Sequence, residues 1–264
     1  MYNDIGCCAE CVSMTLYSFS KLLPSSLYDI QTIDSDKIVS TEWEKDCCLL
    51  IFPGGAANPY QMKLGEEEGN KGNSRIKKYV EEGGNYLGFC AGAYYGCSSI
   101  LFNKTMNSSY DLAFFKGKGI GPAMKGFDYY STEGTHAVTF SYLFKNQQYY
   151  AKAFFKGGPY FVPTEENSCI EIAHFVEQPN LVCEANSLGC IECEVGKGKC
   201  LLCAFHIEYD PWILEKVDNV DDISLTIIQF LQRSPSFRLL FLLYLIFLHI
   251  GFFILFLRKK LYVC

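Results

Sequence analysis

Basic residues are scarce in this chain. Among 264 residues, 23 Lys and Arg stand against 29 Asp and Glu, a net charge of −6. Residues 237–264 hold four basic groups (Arg238, Arg258, Lys259, Lys260) and no acid, so residues 1–236 carry 19 basic against 29 acidic side chains, or −10. An acidic body repels phosphate backbones, which argues against nucleic acid as a partner. No internal repeat is visible, and no signal peptide precedes Asp4 and Glu10, so a reducing, cytoplasmic setting is expected. The hydrophobic fraction of 49% and charged fraction of 20% exclude disorder and collagen-like or low-complexity architectures. At roughly 150 residues per domain, the length allows one large domain or two small ones.

Fourteen cysteines are present, but a secreted disulfide scaffold would be smaller and richer in loops. The pairs Cys7-Cys8 and Cys47-Cys48 sit in apolar runs, where free cysteine acts as a small buried hydrophobe. The run Cys190-x2-Cys193-x6-Cys200-x2-Cys203 resembles two zinc knuckles. Residues 189–206, however, read as a hairpin turning at Gly196–Lys199, and positions i and i+3 of a strand face opposite ways. Neither pair is expected to chelate an ion, so no metal or cofactor is expected.

From residue 8 to 100, helical and extended patterns alternate. A helix over about 8–23 precedes an extended stretch near 28–32 and the apolar run Cys48-Leu49-Leu50-Ile51-Phe52. A polar helix over about 73–82 is stopped by Gly83-Gly84, and the strand Asn85–Phe89 follows. Such alternation predicts an α/β fold, a parallel sheet with helices on both faces. Ligands of such sheets gather at the carboxyl ends of the strands. Residues 110–206 are aromatic-rich and extended, predicting further strands and long loops. Helical periodicity returns at about 221–232.

The tail is distinct. Leu239–Leu257 is apolar but for Tyr244, His249 and Gly251, and as a helix of 19 residues it would span about 28 Å, close to a bilayer core. Two readings stand: a membrane anchor over 239–257 with the body in the cytosol, or a hydrophobic C-terminal helix that is a buried linking helix or a chain end parted from its packing partner. Basic residues flank both ends, so charge does not set an orientation.

The segment with most chemistry is Gly88-Phe89-Cys90-Ala91-Gly92, where a strand meets a helix. A small-residue strand–turn–helix exposes a nucleophile on a sharp bend, with the next N–H free for an oxyanion, and a helix N-terminus favours thiolate. Pro53-Gly54-Gly55-Ala56 follows an apolar strand and would bring a second donor to the same edge. His206-Ile207-Glu208 supplies a base and an orienting carboxylate, since i and i+2 of an extended segment share a face. The other histidines, His136, His174 and His249, have no acidic residue two positions on.

Strand–Pro-Gly-Gly, Gly-x-Cys-x-Gly at an elbow and a late His-x-Glu together resemble the flavodoxin-like class I glutamine amidotransferase fold. The likeness is closer to one branch, the amidotransferase-like N-terminal domain of eukaryotic biotin-protein ligases. It is carried by Tyr2-Asn3-Asp4-Ile5-Gly6, Thr15-Leu16-Tyr17-Ser18, Ile51–Ala56, Gly69-Asn70 with Arg75-Ile76-Lys77, Gly84-x-Tyr86–Gly96 and Gly157-Gly158, over residues 1–232. The resemblance implies Cys90 as nucleophile, His206 and Glu208 as the rest of a triad, and an oxyanion hole at Gly54, Gly55 and Ala91. Tyr94 stands where glutaminases carry glutamine and Ile207 where the family has proline, which implies that glutamine is not the substrate. The family's strand before Tyr2 is mostly missing, so a central strand is expected to be incomplete.

Ligases of this type resemble two-part proteins with a Gly-Arg-Gly-Arg adenylate loop in the other half, and this chain has none. The resemblance therefore implies a domain at 1–232 that assists or regulates a biotin ligase catalytic domain, with 233–264 as a hydrophobic helical tail. Two alternatives remain: a stand-alone thiol amidase acting on a small-molecule amide, and a catalytically silent binding module.

Overall fold

The computed structural model describes residues 1–65, 71–166, 168–209 and 261–263. Its first half alternates as the pattern predicts: α1 (Ala9–Leu22), β1 (Tyr28–Ile30), α2 (Ser35–Ser40), β2 (Cys47–Phe52), α3 (Ala57–Leu64), α4 (Gly72–Glu81), β3 (Asn85–Phe89) and α5 (Ala91–Tyr95). Leu49–Phe52 of β2 are all buried, as a central parallel strand requires. Helix α4 ends where Gly83 takes φ 122° and its N–H bonds the Val80 carbonyl, while the Gly84 N–H bonds the Tyr79 carbonyl.

From Cys97 to Cys203 the described residues are almost entirely strands: β4 (Cys97–Phe102), β5 (Met106–Ser109), β6 (Phe115–Gly121), β7 (Thr135–Phe144), β8 (Gln147–Lys156), β9 (Tyr160–Pro163), β10 (Ile170–Phe175), β11 (Leu188–Val195) and β12 (Gly198–Cys203). With β13 (Leu261–Val263) they join one sheet ordered β1-β13-β2-β3-β12-β11-β9-β6-β4-β5, from which β10, β7 and β8 branch at β11. The expectation of a parallel sheet needs correction. The strands from β1 to β12 in that order are parallel, but β12/β11, β11/β9 and β9/β6 are antiparallel, giving a mixed α/β architecture. The reason is connectivity: β7/β8 and β11/β12 are tight hairpins, which only antiparallel neighbours can use.

The expected helical tail also needs correction where it can be seen. Its described residues, Leu261–Val263, form β13, paired in parallel with β1 and β2. Met1 and Tyr2 continue the same track. The Ile33 N–H bonds the Met1 carbonyl at 2.9 Å and the Tyr2 N–H bonds the Ile51 carbonyl at 2.9 Å. The position of the short N-terminal strand is thus shared between the two chain ends. The expected helices at 221–232 and 239–257 lie outside the described residues. Among the described residues, no helix is long and apolar enough to cross a membrane.

Aromatic rings fill the core. Tyr2 stacks on Phe52 at 4.6 Å, Phe52 on Tyr86 at 5.3 Å, and Tyr60 and Tyr95 pack edge-on around them. Register then places the site. Phe52 pairs with Gly88 and Phe89 with Cys203, so β2, β3 and β12 end together at one rim.

Candidate functional site

Three chain segments leave that rim side by side. After β2 comes Pro53–Ala56, after β3 comes Cys90, and after β12 the chain turns through Ala204–Tyr209. Cys90 occupies the bend with φ 47° and ψ −99°, a strained conformation for a residue with a side chain. Both glycines of the elbow are sterically required. A Cβ on Gly88 would lie 2.3 Å from the Gly92 oxygen, and one on Gly92 would lie 2.2 Å from the Phe52 oxygen.

His206 is 3% exposed and Glu208 fully buried. The two meet at 2.7 Å between Nδ1 and Oε1. They do so in a turn after β12 rather than along the extended segment expected, while the His206 N–H bonds the Phe154 carbonyl of β8 at 2.8 Å. Burial opposes the imidazolium, but the Glu208 charge and the hydrogen bonds with Cys90 and Glu208 outweigh it and hold His206 well above the usual histidine range. With Nδ1 engaged by Glu208, Nε2 is left for the Cys90 sulfur. The Cys90 thiol also donates to the Lys156 carbonyl at 3.4 Å. Oε2 of Glu208 is buried with no hydrogen-bond partner.

The expected oxyanion residues divide by position. Gly55 and Ala91 line a cleft of about 80 Å³ with Cys90, Tyr94, Tyr129 and Lys156. Ala91 is the first residue of α5, so its N–H has no helical acceptor. Gly55 takes φ 147°, and a Cβ there would lie 2.0 Å from the Gly6 oxygen. Gly54 lies instead against His206: a Cβ on it would meet His206 Cε1 at 2.6 Å and the Cys11 sulfur at 2.8 Å. Drug-sized ligands occupy pockets of about 300–1,000 Å³, and this cleft is well below that range. Tyr94, in the position glutaminases give to glutamine, is buried and its hydroxyl bonds the Gly157 carbonyl at 3.0 Å.

The remaining described histidines are occupied elsewhere. His136 bonds the Lys125 carbonyl at 2.8 Å and His174 pairs with Glu171 at 2.9 Å. The hairpin cysteines face each other across the strands, Cys190 opposite Cys203 and Cys193 opposite Cys200. The described cysteines are all free thiols. The pattern reading took Cys8 for apolar filler and passed over Cys11. Cys11, His206 and Glu208 place ligand-type atoms within 4.8 Å of one another, and the spacing Cys8-Ala9-Glu10-Cys11 was the signal available.

The chain is 29% identical over 230 residues to a biotin–protein ligase of Schizosaccharomyces pombe, covering 83% of this chain and 35% of the yeast protein. It is 36% identical over 176 residues to an uncharacterized protein of Chlamydia muridarum, covering 64% of this chain and 63% of that one. It thus spans about a third and under two thirds of these relatives' lengths. Among solved structures, PurLQS from Thermotoga maritima superposes with a TM-score of 0.51 at 13% identity, over 87% of this chain and 96% of that one, a likeness of fold alone. The profile described as "Biotin-protein ligase, N terminal" matches residues 1–252, a span that holds the elbow, the glycine loop and the His-x-Glu turn, and the chain therefore belongs to that family.

Proposed function

We propose that this domain is the accessory, amidotransferase-like module of a biotin-protein ligase, on a flavodoxin-like sheet. It works in the cytoplasm beside a ligase catalytic domain. We further propose that Cys90, His206 and Glu208 act as nucleophile, base and orienting carboxylate toward a small acyl compound such as an amide. The observation that carries the chemistry is the buried His206–Glu208 pair at 2.7 Å beside a cysteine on a strained elbow. In this reading His206 Nε2 takes the Cys90 proton and the sulfur attacks the carbonyl carbon. The oxyanion forms against the N–H groups at Gly55 and Ala91. His206 then returns the proton to the leaving nitrogen as the C–N bond breaks, and water hydrolyses the thioester.

A second reading, a silent binding module, is favoured by the contact of the Cys90 thiol with the Lys156 carbonyl, which an acylated sulfur has to give up. Iodoacetamide labelling followed by peptide mapping separates the two. Modification of Cys90 that outpaces the buried strand thiols Cys190, Cys193, Cys200 and Cys203 and is slowed in His206→Gln supports the triad. Labelling of Cys90 no faster than those thiols supports the silent module. For the accessory role, adding the domain to a separately expressed ligase catalytic half should alter the rate of biotinyl transfer to a carrier protein, and no change at saturating domain would refute it.

A further inference from the structure

Cys8 occupies the N-cap of α1, and Cys11 lies in the first turn of that helix. The cap is unusual, because Cys8 closes no side-chain cap hydrogen bond, yet the Glu10 and Cys11 N–H groups at the open helix end still act on its sulfur. Cys8 is half-buried and Cys11 buried. The Cys11 sulfur is 3.4 Å from the Tyr209 hydroxyl. The layout is thus asymmetric: a half-buried cysteine at a helix N-terminus, and three residues later a buried one whose sulfur lies beside Tyr209, Gly54 and His206.

We propose that Cys8 and Cys11 form a redox-active dithiol that exchanges with low-molecular-weight disulfides, a function separate from any chemistry at Cys90. The Cys8 thiolate attacks one sulfur of R–S–S–R. That S–S bond breaks, a mixed disulfide forms, and the departing thiolate takes a proton from solvent. Cys11 then attacks the Cys8 sulfur, expels the second thiol and gives it the Cys11 proton. The protein dithiol is oxidised by two electrons and the small disulfide is reduced to two thiols.

The electrostatics match these roles. Donation from the Cys11 thiol, opposed by burial and helped by the Cys11 and Glu10 N–H groups and the His206 charge, brings Cys8 down to about 5. Cys11 is pushed well up by that same bond and by burial. Glu10, the acid facing Cys8 on its own helix, is raised by burial and by the Cys8 charge, and Lys156 of β8 counters this. A thiol at a helix N-terminus ahead of a more deeply buried partner thiol is the arrangement that C-x-x-C chemistry uses.

The test is oxidation of the full chain with oxidised glutathione, followed by alkylation and peptide mapping. A Cys8–Cys11 disulfide is expected in the wild type and in Cys90→Ser, whatever the fate of the triad. Cys11→Ser should accumulate glutathione on Cys8, and Cys8→Ser should form neither product. A wild type in which both thiols stay alkylatable, or in which either pairs with another cysteine, overturns the proposal. Should Cys8→Ser fail to fold, wild-type labelling still decides. Between about pH 8 and pH 6 the iodoacetamide rate at an ordinary thiol falls on the order of 100-fold, as expected at Cys183, which burial pushes up to about 11. At Cys8 the fall should be less than about twofold, and an equal fall at both refutes the assignment.

Discussion

Gly54→Ala is the substitution that reads the site most directly. The added Cβ would lie 2.6 Å from His206 Cε1, where ordinary contact begins at 3.4 Å, so ring or loop must give by about 0.8 Å. The ring is not free to move. Glu208 holds it at 2.7 Å, the His206 N–H is tied to Phe154 at 2.8 Å, and the Phe154 and Tyr209 rings stand edge-on at 5.6 and 5.3 Å. The loop is tied too, because the Gly54 carbonyl accepts the Cys8 N–H at 2.9 Å. Forcing one carbon into such a space costs about 1–3 kcal/mol. A shift near 1 Å between reacting groups slows a reaction by on the order of 100-fold.

Two assays read the two effects. Urea melts of Gly54→Ala should show a stability loss of about 1–3 kcal/mol. Cys90 alkylation, followed by peptide mapping, should slow by on the order of 10- to 100-fold as His206 is driven off the sulfur. Stability within about 0.5 kcal/mol of wild type, together with unchanged labelling, would refute the claim that Gly54 sits clamped against the imidazole.

Gly92→Ala sets a Cβ 2.2 Å from the Phe52 backbone oxygen, and neither α5 nor β2 can yield without breaking the sheet, so urea melts should show a loss of about 3 kcal/mol or more. Because His206 is raised on folding, the stability it contributes is fully present below the unfolded value of about 6.5 and is lost as pH rises through the folded value. The advantage of wild type over His206→Gln in urea melts should therefore be largest below about pH 6.5 and shrink above it; an advantage that grows with pH would reverse the sign of the argument. If 239–257 crossed a bilayer once, residues 258–260, at no more than about 3.6 Å each, could not carry Leu261–Val263 back to β1 and β2. Carbonate extraction should accordingly release the protein, and retention in the pellet would mean that β13 is undocked.

The elbow was legible because its residues answer local demands: Gly88 and Gly92 leave room for backbone oxygens, and only a strand–turn–helix asks for that spacing. The β11/β12 hairpin was legible from its glycines, and Val195 pairs with Gly198 across a turn at Gly196, which takes φ 61°. The sheet order was not. Nothing local in Phe115–Gly121 or Tyr160–Pro163 says that β6 and β9 lie between β4 and β11, since pairing partners far apart in sequence leave no periodic trace. The short α2 and α3 escaped notice because six and eight residues hold too few turns to show an apolar face. Cys8 and Cys11 were submerged among many apolar cysteines, although the helix read over about 8–23 already set Cys8 at its start.

The proposed triad is aligned by features at the far end of its own strands. Cys90 and His206 meet only because β3 and β12 pair with Asn85 opposite Lys199 and Phe89 opposite Cys203. A slip of one residue would carry His206 about 3.3 Å along the sheet and reverse the faces of every β12 side chain. The register is pinned where the α4–β3 turn meets the hairpin turn. A Cβ on Gly198 would lie 2.1 Å from the Gly84 oxygen, and one on Gly196 would lie 2.5 Å from the Glu81 oxygen. The Lys197 N–H bonds the Glu81 carbonyl at 2.9 Å, and the Lys199 N–H bonds the Gly84 carbonyl at 3.3 Å. These contacts suit one register alone, so the glycines of Gly196–Gly198 hold imidazole and sulfur in line from the opposite edge of the sheet.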